Sequence, residues 1–142
     1  MGTIHVIGLG PGNIEHLTLE SYRLMKNAPL VYVRTTKHPL IEDLIQEGIA
    51  IEGFDYLYEN ADTFEEIYHK IADILVEKAQ LEQKIVFAVP GHPLFAEKTV
   101  EILLKVLDNR QDEGNIEIHS SMSFLDVVIT SLRIDPINGL KM

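Results

Sequence analysis

Apolar residues follow two alternating patterns along this chain. Near-continuous apolar runs, typical of strands buried on both faces of a parallel sheet, occupy residues 3–9, 30–33 and 84–89, and residues 116–119 are also predicted to form a strand. Apolar residues at three- and four-residue spacing, which predicts helices, occupy residues 17–27, 39–46, 95–109 and 122–132. The pattern also predicts a minor strand at 50–51, followed by an acidic connection over 52–62.

The clearest predicted helix begins after Thr63. Thr63 and Glu66 have the spacing of a capping box, in which each side chain accepts a hydrogen bond from the other residue's backbone amide. Apolar residues then recur on one face, at Phe64, Ile67, Tyr68, Ile71, Ile74, Leu75 and Ala79. Strands that alternate with helices in this way predict an α/β fold, an open, mainly parallel sheet with helices on both faces.

Composition excludes several functions. The chain has 142 residues and no cysteine, which excludes disulfides, thiolate metal sites and thiol nucleophiles. Its formal net charge of -10 argues against a general nucleic-acid binder, because phosphate contacts need a basic surface. No apolar stretch approaches the roughly 20 residues that span a bilayer, and the first residues lack a secretion pattern. We therefore expect a cytoplasmic protein without a membrane partner.

Two glycine-proline turns follow buried runs and mark the candidate site. The first reads Gly-Leu-Gly-Pro-Gly over residues 8–12, and the second reads Pro-Gly-His-Pro over residues 90–93. Ligands of open parallel sheets bind beyond the carboxyl ends of strands, where small residues allow a close backbone approach. The two turns are thus predicted to form two walls of one cleft. For the first turn, a tight junction without a ligand is the alternative.

A dinucleotide site is disfavoured. Gly8, Gly10 and Gly12 do not have the Gly-x-Gly-x-x-Gly spacing, and Pro11 removes an amide that a pyrophosphate would use. The end of the second strand offers the basic residues 34–37 and no carboxylate for a ribose, although such an end could suit a 2′-phosphate. A Gly-Lys-Ser/Thr phosphate loop is absent from the sequence.

Three segments together resemble the tetrapyrrole (corrin/porphyrin) methylase family. The first is Val-Ile-Gly-Leu-Gly-Pro-Gly at 6–12, followed by Leu-Thr-Leu at 17–19 and Ala-Pro-Leu-Val at 28–31. The second, Gly-His-Pro at 91–93, matches a Gly-Asp-Pro signature, and the third is Ser-Ser-Met-Ser-Phe at 120–124. The resemblance covers essentially the whole chain. It implies a fold of two lobes, with residues 1–120 as the N-terminal lobe and 121–142 as the start of a truncated C-terminal lobe.

The resemblance implies a methyltransferase that uses S-adenosyl-L-methionine. By this resemblance the cofactor-binding residues are Leu9 and Pro11 on one wall, then Gly91, His92, Phe95, Ser121 and Met122. It names no catalytic residue and no methyl acceptor, and relatives resemble homodimers. His92 replaces the family's aspartate, so a fixed negative charge near the sulfonium is lost. An exposed turn histidine without a ligand is the alternative for His92.

The sequence Val-Pro-Gly-His-Pro at residues 89–93 is most similar to one branch of the family. In that branch, a methylase-like domain is followed by a MazG nucleotide pyrophosphohydrolase domain. A possible C-terminal MazG domain in the parent protein is therefore implied. The alternative function is a non-catalytic ligand-binding or regulatory module of such a hydrolase. Hydrolysis by this chain itself is not expected, because Glu59 and Asp62 supply one Glu-x-x-Asp pair and no Glu-x-x-Glu precedes it.

The sequence predicts no metal site. His5 lies in a predicted buried strand and is interpreted as a core residue, and the other histidines, including His119, lack a repeated ligand spacing. Glu97 and Glu101 lie one helical turn apart and could imitate a metal pair. The lysines on the same predicted helix favour an ordinary charged face instead.

Overall fold

The computed structural model describes residues 2–109 and 114–139 of the chain. Five strands lie at Thr3–Gly8 (β1), Val31–Val33 (β2), Ile51–Gly53 (β3), Lys84–Val89 (β4) and Asn115–Ile118 (β5). Five helices lie at Leu19–Asn27 (α1), Leu40–Gln46 (α2), Phe64–Leu81 (α3), Lys98–Asn109 (α4) and Phe124–Leu132 (α5). Short 3-10 turns lie at Ile14–His16, Asp55–Tyr58 and Pro136–Asn138.

All paired strands are parallel, in the order β3-β2-β4-β1-β5. The chain moves from β1 outward to β2 and β3, then returns to β4 beside β1 and continues to β5. The direction of the connections therefore reverses between the neighbours β1 and β4. Open α/β sheets bind ligands at such a reversal. The predicted fold, an open parallel sheet with helices on both faces, is confirmed.

Each face of the sheet has its own core. Successive side chains of a strand point to opposite faces, so β1 places Ile4 and Val6 against α3 and α4 and places Ile7 against α1 and α2. The loop after β1 leads to α1 on one face, and the loop after β4 leads to α4 on the other. These two loops consequently leave a crevice between them.

The largest difference in a predicted helix start is at α4, and the predicted cap of α3 forms only in part. The predicted helix 95–109 begins at Lys98, because Ala96 has a left-handed backbone with φ of 54° that interrupts helical geometry. At Thr63 only half of the capping box forms. The Thr63 hydroxyl accepts from the Glu66 amide at 3.2 Å, whereas the Glu66 carboxylate accepts from the Asp62 amide at 3.4 Å.

The last helix, α5, packs least against the rest of the molecule. A complete capping box of Ser123 and Asp126 begins it, yet none of its residues is buried. Exposed apolar side chains on α5 and just beyond it are Phe124, Val128, Leu132, Ile134 and Ile137. Within 2–109 and 114–139, no helix is both long enough and apolar enough to cross a bilayer.

Candidate functional site

The turns after β1 and β4 are joined directly by their backbones. Gly8 pairs with Val89 where the two strands end. One residue further on, the Leu9 amide donates to the Val89 carbonyl oxygen at 2.8 Å. Gly10 and Gly91 then exchange two hydrogen bonds, of 3.2 and 3.0 Å. Their φ angles of 73° and 66° lie in the left-handed region that glycine adopts without steric cost. The two glycine turns thus form one continuous surface.

The serine segment after β5 packs against the same turns. The Ser121 hydroxyl donates to the Gly91 carbonyl oxygen at 3.0 Å. A β-carbon on Gly8 would collide with this carbonyl oxygen and with the Ser121 side chain. The three segments that the sequence singled out therefore meet at the carboxyl edge of the sheet, and their contact depends on glycine at position 8.

A cavity of about 270 Å³ lies over the joined turns. Its lining residues are Gly10, Pro11, His38, Pro90, Gly91, His92, Phe95, Ala96, Ser123 and Phe124. Four of the residues predicted from the sequence are among them. Leu9 is not, because its side chain is fully buried in the core below. Ser121 and Met122 are not lining residues either; the Ser121 hydroxyl supports Gly91 and also approaches the Met122 carbonyl oxygen at 3.3 Å.

His38 belongs to this site although the sequence interpretation gave it no role. Its Nδ1 accepts the Leu40 amide at 3.1 Å, and its Nε2 lies 3.1 Å from the Gly10 carbonyl oxygen. The proton is therefore on Nε2, which donates to Gly10. Burial lowers the pKa of His38 and favours this neutral ring. His38 follows β2, a neighbour of β4, and that adjacency was not readable from sequence spacing.

His92 presents a hydrogen-bond donor to the cavity. Its Nδ1 accepts the Leu94 amide at 3.0 Å, so the neutral ring carries its proton on Nε2. Within the described part of the chain, this Nε2 has no hydrogen-bond acceptor of its own. His92 thus offers one N–H to a ligand.

Aromatic rings form the outer wall. The Phe95 and Phe124 rings meet edge to face, with centroids 5.3 Å apart at 67°. Phe124 and Ser123 reach the cavity because the Ser123 cap starts α5 at this point. The sequence resemblance assigned no cofactor contact to Ser123 or Phe124.

The arginine of the basic segment after β2 pairs with residues of the chain itself. Arg34 Nε lies 3.1 Å from a Glu97 carboxylate oxygen, and an Arg34 Nη1 donates to the Tyr58 hydroxyl at 3.3 Å. Burial raises the pKa of Glu97 despite the opposing effect of Arg34. The suggested 2′-phosphate contact would have to displace this pair. Glu97 therefore pairs with Arg34 in the protein interior. Glu101 instead pairs with Lys98 and Lys105 on the exposed, charged face that the sequence predicts.

The chemistry of the cavity is that of a binding surface for a small organic molecule. Its lining offers main-chain atoms, apolar carbon and the His92 N–H donor, with no carboxylate, lysine or arginine. Its volume lies just below the range of about 300–1,000 Å³ usual for small-molecule pockets. The described residues thus enclose part of such a ligand.

Known proteins resemble this chain in sequence and in fold. The family model described as Tetrapyrrole (Corrin/Porphyrin) Methylases matches residues 3–140. A protein of Bacillus subtilis (strain 168) named "Uncharacterized protein YabN" is 46% identical over 142 residues, which are 99% of this chain and 28% of that protein.

Solved structures share the architecture. A uroporphyrin-III C-methyl transferase from Thermus thermophilus, in complex with S-adenyl homocysteine, is 25% identical with a TM-score of 0.60; the match covers 87% of this chain and 46% of that chain. A diphthine synthase is 18% identical with a TM-score of 0.66, over 94% of this chain and 50% of that one, which shows a common fold. The chain thus spans about half the length of these structures.

Proposed function

The chain belongs to the tetrapyrrole methylase family, and from that premise we propose that it carries part of an S-adenosylmethionine site for methyl transfer. The observation that supports the proposal most is the convergence of the three family segments, around Gly8, Gly91 and Ser121, at the reversal point of the sheet. The S-adenyl homocysteine complex of the Thermus thermophilus relative supports the choice of ligand.

The lining suits such a cofactor. A sulfonium cation is compatible with aromatic walls, which Phe95 and Phe124 supply, and no lysine or arginine among the lining residues would repel it. The Nε2 donor of His92 suits a carboxylate or a ribose hydroxyl. The Leu94 amide holds the ring with Nδ1 as acceptor, which leaves Nε2 as the atom that can face the ligand.

The bound cofactor would supply an electrophilic methyl group on sulfur. Transfer of that group depends on alignment and on a fitting electrostatic environment rather than on a strong acid or base. The joined turns supply alignment, because Gly10 and Gly91 fix each other's position and His38 braces Gly10 from the other side. We assign no catalytic residue and no methyl acceptor.

We propose that residues 1–120 form the N-terminal lobe and that 121–142 begin a second lobe. Two observations support this division: α5 exposes apolar side chains, and the solved structures are about twice as long as the matched region. The present cavity has a volume of about 270 Å³. A second lobe that packs over α5 would cover this cavity and enclose the ligand more fully.

The test is calorimetric titration of S-adenosylhomocysteine into the whole protein that carries this chain. We expect binding that weakens when Phe95→Ala removes the aromatic wall. The matched control is Phe64→Ala, which removes an aromatic ring that is 66% exposed on α3, away from the cavity. No heat of binding at millimolar ligand, or equal binding by the two variants, would refute the proposal.

The second candidate is a non-catalytic ligand-binding or regulatory module. It is favoured by one observation, a histidine at position 92 where the family resemblance implies aspartate. On this view the site still binds its ligand, and His92→Asp strengthens binding of S-adenosylmethionine by restoring a negative charge beside the sulfonium. Methyl transfer by the unaltered protein to any tetrapyrrole, protein or RNA acceptor would exclude this candidate.

We also propose a homodimer, a C-terminal MazG domain and a cytoplasmic location. A homodimer is supported by the family resemblance and is tested by light scattering of the purified protein. A C-terminal MazG domain is supported by the residues at 89–93, and the Bacillus subtilis relative is long enough to hold further domains. Magnesium-dependent pyrophosphate release by the whole protein would test it. A cytoplasmic location stays a prediction, to be tested by cell fractionation.

A further inference from the structure

Two histidines and a glutamate meet on the α1 side of the sheet, apart from the cavity over the glycine turns. β1 and β5 pair in parallel with His5 opposite Glu117, and His119 directly follows β5. His5 Nδ1, His119 Nε2 and a Glu117 carboxylate oxygen all lie within 4.8 Å of one another. We call these three residues the His-His-Glu cluster.

We propose that the His-His-Glu cluster binds a divalent transition metal ion, with Zn²⁺ as the ion that its ligands suit best. Zinc binds imidazole nitrogen and carboxylate oxygen at about 2.0–2.2 Å, so tetrahedral ligands lie roughly 3.3 Å apart. His5 Nδ1 lies 3.0 Å from His119 Nε2 and 3.3 Å from the Glu117 oxygen. Two of the three ligand separations therefore already match a zinc tetrahedron.

A fourth residue orients one of the ligands. Glu20 on α1 places a carboxylate oxygen 2.9 Å from His119 Nδ1. With the proton on Nδ1 donated to Glu20, the lone pair of Nε2 points into the cluster. Carboxylates that hold the second nitrogen of a zinc-ligating histidine are a common feature of zinc sites and make the ring a better ligand.

The two histidine ligands are largely buried, and the carboxylate ligand faces solvent. The His5 and His119 side chains are 15% and 12% exposed, whereas that of Glu117 is 62% exposed. The open side at Glu117 leaves a fourth coordination position for water.

The ligand set selects the class of ion. Two imidazoles and one carboxylate suit Zn²⁺, Co²⁺ or Ni²⁺, whereas Mg²⁺ and Ca²⁺ prefer oxygen ligands alone. A metal here would join α1 to the edge strand β5 and to β1. The proposal is independent of the proposed methyl-transfer function, because no residue of the cluster lines the cavity.

The experiment titrates Zn²⁺ into the full 142-residue chain, without a histidine tag and after treatment with a chelator. We expect one ion per chain by calorimetry, and Co²⁺ in its place should give the visible absorption of four-coordinate cobalt. His119→Gln and Glu117→Gln each remove a ligand and should abolish the cobalt spectrum. Glu20→Gln leaves the ligands in place and should weaken binding by about 10- to 100-fold.

The matched control is His69→Gln on α3. His69 is an exposed histidine with Glu65 one turn away at 4.0 Å, so it resembles the cluster in composition but not in geometry. Its substitution should leave binding unchanged. Circular dichroism confirms that each variant is folded, and Glu117→Gln alters only an exposed side chain. The proposal is overturned if the unaltered chain does not bind, or if His69→Gln weakens binding as much as His119→Gln.

Discussion

Backbone amides set the tautomer of two site histidines. His38 and His92 each accept an amide on Nδ1 from the residue two positions later, Leu40 and Leu94. A protonated imidazole has no acceptor, so protonation of His38 would break its bond with the Leu40 amide. His38 is the more demanding case, because its Nε2 also holds the Gly10 carbonyl that shapes the site.

This constraint predicts acid sensitivity. Since the pKa of His38 is lowered below the ordinary 6.5 in the folded state, the unfolded chain takes up the proton first. The stabilising contribution of neutral His38 is present above about pH 6.5 and is lost as the pH falls through the lowered pKa. We expect His38→Asn, whose amide oxygen can still accept from Leu40, to flatten the dependence of unfolding free energy on pH in urea titrations.

His69→Asn is the control for this prediction, because its exposed ring should leave the pH dependence unchanged. Part of the dependence should also survive in His38→Asn, because burial lowers the pKa of His5 as well. An unaltered pH profile in His38→Asn would contradict the prediction.

Glycine at position 8 is required for space rather than for backbone conformation. Gly8→Ala should destabilise the fold by about 1–3 kcal/mol, because the added carbon meets the Gly91 carbonyl and Ser121. Gly48→Ala provides the comparison: its φ of 84° strains an alanine, but nothing lies within 4 Å of the added carbon. We expect Gly8→Ala alone to weaken binding of S-adenosylhomocysteine. Equal ligand affinity in the two variants would show that the turn tolerates the extra carbon.

At the scale of elements, one ion pair connects the end of β2 to the start of α4. The Glu97 side chain is only 7% exposed, so its charge depends chiefly on Arg34, with a smaller contribution from Thr99. Arg34→Met should destabilise the fold by about 3–5 kcal/mol near neutral pH, because an uncompensated carboxylate stays buried. Lys105, one of the two exposed partners of Glu101, gives a control. Lys105→Met should change the stability of the fold little, because exposed ion pairs contribute little.

The same variant should regain stability in acid. The pKa of Glu97 is already raised above 4.5 by burial, and loss of Arg34 raises it further. A group with a raised folded pKa contributes most below its unfolded pKa, and this contribution is lost as the pH rises through the folded value. The cost of Arg34→Met, measured by urea unfolding, should therefore shrink towards about pH 5. A cost that does not vary with pH would contradict a buried carboxylate.

For the molecule as a whole, local sequence patterns predicted the fold more completely than they predicted the candidate site. Apolar runs predicted β1 and β4, and proline and glycine located their turns, because these signals act within a few residues. The start of α4 was misplaced because the left-handed Ala96 and the Arg34 contact of Glu97 depend on tertiary structure.

Long-range register explains what the sequence did not reveal. His5 and His119 lie 114 positions apart and meet only because β5 pairs with β1 at the sheet edge. His38 reaches Gly10 because β2 lies two strands from β1, with β4 between. Residue spacing carries no record of either adjacency. The glycine turns could be matched to each other because both follow recognisable strands.

The final prediction concerns how stability is distributed over the molecule. β4 is enclosed by helices on both faces, whereas α5 has no buried residue and depends on its capping box for local order. Local opening is easiest where few apolar contacts are lost. Native-state hydrogen exchange of this chain should therefore show slow amides in β1 and β4 and fast amides in α5. Ser123→Ala removes the cap, at a local cost of about 1 kcal/mol, and should accelerate exchange in α5 while leaving β4 unchanged. Protection of α5 equal to that of β4 would mean that this helix is already held by contacts equivalent to a second lobe, for example with another copy of the chain.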